Sequence, residues 1–223
     1  MPAWSYSSIK TFDQCPKKYF HLKVAKDVVD TPGPEASYGT NAHAAAEAYI
    51  KHDTPIPPQY DVMRPVAERL AAFPGDKHCE LKLGVKRGEG GYVPCDFFDK
   101  DVWYRGIIDL LIVNGTRAHL VDYKTGKNAK YADTKQLDLM AGAVFVHFPG
   151  VEFIKAGLAY VVSEEFPRKE YRRGEGDSLA VFSTQLDRLE AALENGVWNA
   201  KSGPLCGWCP VGDKCEHWKP RRR

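Results

Sequence analysis

Four cysteines divided between the two ends of the chain constrain its fold more than any other feature. They are Cys15 near the start and, in the segment CGWCPVGDKC near the end, Cys206, Cys209 and Cys215. Thiolates with this spacing bind either a tetrahedral zinc ion or an iron–sulfur cluster, so the spacing leaves the metal open. A centre held by all four would close a loop of about 190 residues and act as a crosslink. We therefore expect residues 1–30 and 200–223 to meet around a metal centre.

Composition and length narrow the class of protein. With 31 basic and 29 acidic residues, the chain is no basic nucleic-acid coat, so any nucleic-acid contact must come from local patches. Its 223 residues suit one domain with a buried core. No stretch resembles a signal peptide or is apolar enough to span a bilayer, which predicts a cytoplasmic protein without membrane contact. In such a reducing compartment, clustered cysteines favour metal ligation over disulfides.

Hydrophobic periodicity and turn residues predict a mixed α/β fold. An Asn-Gly pair joins two apolar runs and predicts a β-hairpin between strands at 101–113 and 117–124. Pro-Gly pairs and changes of period bound the other elements. These are a short amino-terminal helix, helices near 38–51, 59–73, 133–147 and 178–198, and strands at 78–85 and 153–162.

The predicted hairpin carries three residues that can act together chemically. Asp122 and Lys124 are two positions apart, so on a strand they leave the same face, which Asp109 can reach from the preceding strand. Both acids lie in apolar runs, where an ionised carboxylate is costly unless a partner or a metal compensates it. Carboxylate oxygens suit Mg²⁺ or Mn²⁺, which polarise a phosphodiester and activate water, while a nearby ammonium neutralises developing charge. A solvated Asp-x-Lys pair is the alternative.

An alanine-rich helix supplies further candidates. His43 and Glu47 are four residues apart and share one helical face, where they form either part of a metal site or an exposed ion pair. Imidazole can bind Mn²⁺ or Mg²⁺ beside carboxylates, so the choice of metal stays open. Glu80, on a predicted strand, is either a further ligand or a salt-bridged surface residue. Cys79 before it is predicted to be a core residue.

Taken in order, these segments resemble the RecB-like branch of the PD-(D/E)XK nuclease superfamily. The matching positions are Gly39 to His43, the GIID segment ending at Asp109, the DYK segment from Asp122 to Lys124, and Gln136. One cysteine before the core and three after it are similar to the iron–sulfur subgroup of that branch. This subgroup includes CRISPR-associated RecB-like exonucleases, AddB-type nuclease domains and phage-encoded relatives. The resemblance spans Ser5 to Cys215.

The resemblance implies a role for each matched position. The implied metal ligands are His43, Asp109, Asp122 and the backbone carbonyl of Tyr123, with Lys124 as the catalytic lysine and Gln136 near the substrate. In the family, that glutamine opens a Gln-x-x-x-Tyr motif, but Met140 stands at the tyrosine position here. Glu47 and Glu80 are accessory candidates. For the four terminal cysteines, the resemblance implies a [4Fe–4S] cluster, with zinc as the alternative.

The resemblance also implies a fold and a function for residues 1–223. The fold is a restriction-endonuclease-like α/β core, with a central mixed sheet flanked by helices and termini joined by the four-cysteine cluster. The function is Mg²⁺- or Mn²⁺-dependent hydrolysis of DNA, as an exonuclease acting on single strands or free ends. Recombination, repair or CRISPR-like DNA processing is implied, with recombination, helicase or CRISPR partner proteins, in a prokaryotic or phage-infected cell. The alternatives are a non-catalytic DNA-binding accessory subunit of the same fold and a zinc-stapled structural protein.

Overall fold

The computed structural model describes residues 3–218, and these form two compact units. One is the continuous segment 33–181, which contains the whole β-sheet and is called the sheet unit below. The other combines residues 3–32 with residues 182–218 and is called the terminal unit. All four terminal cysteines belong to the terminal unit.

The sheet unit is built on a six-stranded mixed sheet. Its strands lie in the spatial order β2-β1-β3-β4-β5-β6. Neighbouring strands are antiparallel except β4 and β5, which are parallel and are connected through a helix, as a parallel pair requires. The strands are β1 (Asp76–Gly88), β2 (Gly91–Cys95), β3 (Tyr104–Asn114), β4 (Arg117–Lys124), β5 (Phe153–Tyr160) and β6 (Arg168–Arg172).

Helices cover both faces of this sheet. They are α3 (Pro34–His52), α4 (Arg64–Ala71) after a 3-10 segment (Pro58–Met63), and α5 (Lys135–His147). Ala42 and Ala46 of α3 are fully buried against the sheet in one core with Val121, because small side chains let the helix backbone approach closely. On the other face, α5 contacts β1, β2, β3 and β5. Side chains alternate along a strand, so Asp122 faces away from Val121 and towards α5. There it accepts a hydrogen bond from Gln136 of α5.

Local sequence explains where several elements begin and end. Helix α3 begins with Pro34 at its first position, where a missing backbone N–H costs nothing. The β3–β4 hairpin turns through Asn114 and Gly115, as the Asn-Gly pair predicted. Gly115 has a φ of 58°, which glycine adopts without strain. Cys79 is buried in the core shared with α3, which confirms its predicted place.

The terminal unit is helical and has an aromatic core. Its helices are α1 (Tyr6–Gln14), α2 (Pro16–Tyr19) continued by a π-helical turn (Phe20–Val24), and α6 (Ser183–Asn195). A capping box between Ser5 and Ser8 starts α1. Tyr19 stacks on Trp198 with ring centroids 6.1 Å apart, so side chains from both chain segments share one core.

Three ion pairs also join the two segments of the terminal unit. They are Lys17 with Glu216, Lys214 with Asp27 (2.6 Å), and Arg188 with Asp13 (3.4 Å). Each is exposed to solvent, so each contributes little to stability by itself. Their effect is to fix which parts of the two segments face each other.

The structure confirms the mixed sheet with flanking helices and corrects several predicted elements. Two edge strands, β2 and β6, were not predicted. The helix expected over 178–198 is a 3-10 segment (Ser178–Phe182) followed by α6, which ends before Gly196 in the left-handed region. A single domain over residues 1–223 stays a prediction. Within residues 3–218, no helix combines the length and apolar character needed to cross a bilayer.

Candidate active site

The site forms where the β3–β4 ladder opens. Registered pairs of these strands run from Asn114 and Arg117 as far as Leu110 and Val121. Asp109 then turns its carboxylate to β4, and its Oδ2 accepts the backbone N–H of Tyr123 at 2.7 Å. The side chain therefore replaces a ladder acceptor and lies directly beside the strand that carries Asp122 and Lys124.

Three side chains from different elements converge at this opening. Ligand atoms of His43, Glu80 and Asp109 all lie within 4.8 Å of one another. His43 Nδ1 is 3.3 Å from Asp109 Oδ2, and its ring packs edge-on against the ring of Tyr123. Because the buried alanine face of α3 holds the helix close to the sheet, His43 is brought onto the strand ends. One imidazole and two carboxylates form a donor set that fits Mn²⁺ or Mg²⁺.

Glu80 owes its place to an unusual backbone conformation. Its φ is 49°, in the left-handed region, although it lies within β1. The registered β1–β3 pairs pass from Cys79 to Leu81 and leave Glu80 out. For a residue other than glycine this conformation costs about 1–2 kcal/mol, and such strain concentrates at functional sites. The kink brings the Glu80 carboxylate to His43 and Asp109 instead of leaving the residue in the ladder.

Asp122, Lys124 and Gln136 form a second, adjoining group. Lys124 Nζ lies 2.5 Å from Asp122 Oδ2 and donates to Gln136 Oε1 at 3.2 Å. The Nε2 of Gln136 donates in turn to Asp122 Oδ1. The Asp122 side chain is 5% exposed whereas that of Lys124 is 31% exposed, so the ammonium reaches solvent while its anchor is buried. The lysine is thus held in one orientation from two sides.

The electrostatics of the site favour a bound cation. Burial raises the pKa of Asp122 to about 6, against the opposing charge of Lys124. Burial also raises the pKa of Glu80, and the charges of Asp109 and Glu47 add to this effect. For His43, burial favours the neutral ring, but the hydrogen bond and charge of Asp109 outweigh it and raise the pKa. Several acids therefore crowd a partly desolvated space, and a divalent cation would relieve their repulsion.

The structure brings together most of the residues predicted for the site. His43 and Asp109 meet as expected, and Glu80, left open by the sequence, joins them. Glu47 instead pairs with Lys51 at 2.5 Å on the same helix, although both line a cleft with Glu80. Metal ligation by Asp122 and by the Tyr123 carbonyl stays a prediction. Nothing in the sequence indicated the kink at Glu80, because only Gly, Asn and Asp signal that conformation reliably.

In the terminal unit, the four terminal cysteines line one cavity of about 490 Å³. Two of their sulfurs accept backbone hydrogen bonds: Lys201 N–H donates to Cys15 Sγ at 3.4 Å, and Gly203 N–H donates to Cys206 Sγ at 3.2 Å. Such donors stabilise charge on thiolate ligands. Across residues 3–218, no three cysteine sulfurs lie within 4.8 Å of one another.

Comparison with known proteins bears on the sheet unit and the terminal unit alike. The sequence matches the family model of the PD-(D/E)XK nuclease superfamily over residues 3–78 and 66–216. A solved structure named as a putative exonuclease from Eubacterium rectale is similar in fold, with a TM-score of 0.50 and 12% identity over 99% of this chain and 90% of that chain. The solved structure of SSO0001 gives a TM-score of 0.45 and 12% identity over 98% of this chain and 88% of that chain. No curated protein matches the sequence.

Proposed function

Since the chain belongs to the PD-(D/E)XK nuclease superfamily, we propose that it is a metal-dependent deoxyribonuclease that degrades single-stranded DNA from a free end. The observation that carries the proposal is the convergence of His43, Glu80 and Asp109 beside the buried Asp122–Lys124 pair. The superfamily accounts for hydrolysis of phosphodiesters. The preference for single strands and for ends is the proposed part, and the resemblance to RecB-like exonucleases supports it.

Each residue of the site has a distinct task in this proposal. His43, Glu80 and Asp109 would hold Mg²⁺ or Mn²⁺. Asp122 and the backbone carbonyl of Tyr123, which the resemblance implies as ligands, are also part of the proposed ligand set. When bound, the cation polarises the phosphodiester and lowers the pKa of a water nucleophile.

The remaining residues act on the phosphate through Lys124. Its Nζ carries the positive charge that neutralises the phosphate as charge develops on its oxygens. Asp122 and Gln136 position that Nζ, because both contact the lysine or its anchor. Gln136 is therefore a positioning residue in addition to the substrate contact predicted from its place in the sequence.

We also propose that the four terminal cysteines hold a [4Fe–4S] cluster. Their shared cavity and the two N–H donors to sulfur support a metal centre at this place, and the resemblance to the iron–sulfur subgroup supports the choice of cluster over zinc. The cluster would join residues 3–32 to residues 182–218, so its role is structural. We place the enzyme in the cytoplasm of a prokaryotic or phage-infected cell, where recombination, helicase or CRISPR proteins would be its partners, on the strength of the resemblance.

End-labelled single-stranded DNA tests the proposed activity. Wild-type protein with Mn²⁺ or Mg²⁺ is expected to shorten the strand from one end, and a chelator or Lys124→Ala is expected to abolish this. Lys155→Ala is the matched control, because this lysine lies on neighbouring β5 and pairs with exposed Glu170. Wild type that binds the strand but leaves it intact with both metals would contradict the proposal and favour a non-catalytic accessory subunit.

The metal of the terminal unit is tested on protein purified without oxygen. A brown protein containing iron and acid-labile sulfide supports the cluster. A colourless protein containing stoichiometric zinc would contradict it and restore the zinc alternative.

A further inference from the structure

We propose that Phe97 and Phe98, together with Lys82 and Arg105, form a platform on which unpaired bases of the DNA substrate stack as the strand approaches the candidate metal site. This inference rests on the proposed deoxyribonuclease function. The platform would hold the substrate strand near the metal site and would favour single-stranded over duplex DNA.

The two rings form an exposed aromatic pair. Phe98 is 72% exposed, although a phenylalanine normally buries its ring. Its ring meets that of Phe97 edge to face, with centroids 5.1 Å apart. Most of the Phe98 surface stays open to a ligand despite this contact.

Cations surround the same two rings. Lys82 Nζ lies 6.0 Å from the Phe97 centroid and 5.9 Å from the Phe98 centroid. The Arg105 guanidinium lies 5.6 Å and 6.0 Å from the same centroids. Aromatic faces interleaved with basic side chains are the combination that binds single strands, because bases stack on the rings while cations attract the phosphates. The chemistry of this patch therefore fits a single-stranded nucleic acid.

The loop that carries the rings is held in place. Asp96 Oδ1 accepts the N–H of Phe98 at 2.7 Å, and Asp99 Oδ1 accepts the N–H of Asp101 at 2.8 Å. Asp99 also pairs with Lys86 at 3.7 Å. These contacts support the loop backbone at Phe98 and Asp101, and they engage Asp96 and Asp99 within the loop or with the adjacent strand. Preorganisation of this kind lowers the entropy lost when a ligand binds.

Gly84 explains why the loop lies on the sheet. A Cβ at this position would be 2.6 Å from the backbone oxygen of Asp96, so only glycine lets the loop backbone pass over β1. Gly84 is opposite Arg105 in the ladder and two residues from Lys82. The close approach at Gly84 therefore places Phe97 and Phe98 beside Lys82 and Arg105.

The platform is continuous with the metal site along two strands. Lys82 is two residues from Glu80 on β1, and Arg105 is four residues from Asp109 on β3. At about 3.4 Å per residue, Arg105 lies about 14 Å along the strand from Asp109. Between them, Ile107 pairs with Lys82 and is 40% exposed, which offers a further apolar surface. A strand leaving the metal site along β3 would thus pass the two rings within a few nucleotides.

This geometry selects unpaired bases. In a duplex each base is already stacked between its neighbours and paired, so it has no free face for Phe98. An unpaired base has a free face that can stack on an aromatic side chain, and every base offers such a face. The platform is consequently expected to favour single strands over duplex DNA of the same sequence.

Binding of fluorescently labelled oligodeoxythymidine, measured by anisotropy in chelator, tests the platform without requiring cleavage. Phe98→Ala is expected to raise the Kd about tenfold, since one stacked base is lost. Phe98→Leu is expected to be similarly weak, because it keeps an apolar side chain but has no aromatic face. Phe166→Ala is the matched control: Phe166 is 46% exposed and packs over Gly157 on β5, so its loss should leave the Kd unchanged.

Abasic sites placed one at a time in the oligonucleotide complete the test. At one position an abasic site should weaken wild-type binding about as much as Phe98→Ala does, and it should have little further effect on that variant. Wild-type affinity in Phe98→Ala, the absence of such a position, or no single-strand binding by wild type would each overturn the platform. Failure of wild type to cut DNA would instead overturn the proposed activity, so the two failures are distinguishable.

Discussion

Asp122→Asn is expected to stabilise the metal-free protein while abolishing its proposed activity. Burial raises the pKa of Asp122 from 3.8 to about 6, so at higher pH the folded protein carries a carboxylate in an unfavourable place. A difference of about two pKa units corresponds to about 3 kcal/mol. Asparagine has the same shape, carries no charge and can still accept the Gln136 hydrogen bond. The expected gain is therefore about 3 kcal/mol at most, and it already includes the loss of the ion pair with Lys124, because the raised pKa is the net result of burial and of the opposing charge of Lys124.

The pH dependence gives the sign of this effect. A carboxyl group with a raised pKa in the folded state binds its proton more tightly there than in the unfolded chain. The penalty from Asp122 is therefore complete above pH 6, decreases as the pH falls, and is absent below pH 3.8. The advantage of Asp122→Asn should follow the same course.

Urea denaturation in chelator, at pH values above and below this window, measures the free energy of unfolding of both proteins. Asp187→Asn is the control, because Asp187 is an exposed carboxylate on α6. If Asp122→Asn is less stable than wild type above pH 6, the ion pair with Lys124 outweighs burial and the argument from desolvation is refuted. A gain of equal size at all pH values would also refute it, since the cause would not be ionisation.

Three further predictions concern other parts of the chain. Glu80→Gln should weaken Mn²⁺ binding, followed by calorimetry, by at least about tenfold, since lost supporting residues alone cost that much in metal sites; unchanged affinity would remove Glu80 from the ligand set. Cys209→Ser should lose iron and visible absorption and should speed tryptic cleavage within residues 182–218, and retention of full iron content would show that Cys209 is no ligand. Gly84→Ala should cost about 2 kcal/mol in urea denaturation by overpacking against the Asp96 carbonyl and should weaken single-strand binding as Phe98→Ala does. Full stability of this variant would show that the loop shifts without cost.

The sequence predicted the elements whose residues face a core. The β3–β4 hairpin was readable because apolar runs flank Asn-Gly. Helix α3 was predicted near 38–51, but it begins at Pro34 and ends at His52. Strand β6 reads RKEYR and carries no apolar alternation, so its pairing with β5 depends on tertiary contacts. Two of those contacts are Lys169 and Tyr171, which donate to Asp138 of α5 at 2.9 Å and 2.7 Å.

Some residues of the candidate site could be identified from the sequence, whereas others could be identified only from the structure. Asp109 and Asp122 could be chosen because carboxylates in apolar runs require a partner, and Lys124 because it is two residues from Asp122 on the same strand. His43 was chosen from its helix and from the family resemblance. Glu80 could not be assigned, because its role depends on a left-handed backbone inside a strand. Phe98 could not be assigned either, because an aromatic residue in a loop is usually buried, and its exposure depends on how the loop lies over Gly84.

The terminal unit has a consequence for the order of folding during synthesis. Lys17 and its partner Glu216 are 199 positions apart, so the amino-terminal segment lacks its partners in residues 182–218 until those residues have been made. The sheet unit is continuous in sequence and holds the candidate catalytic residues, so it can fold earlier on the ribosome. Completion of the terminal unit therefore requires that residues 182–218 have been made. A chain that stopped before residue 206 would carry the candidate catalytic residues but would lack three of the four terminal cysteines, so it could not complete the proposed metal centre.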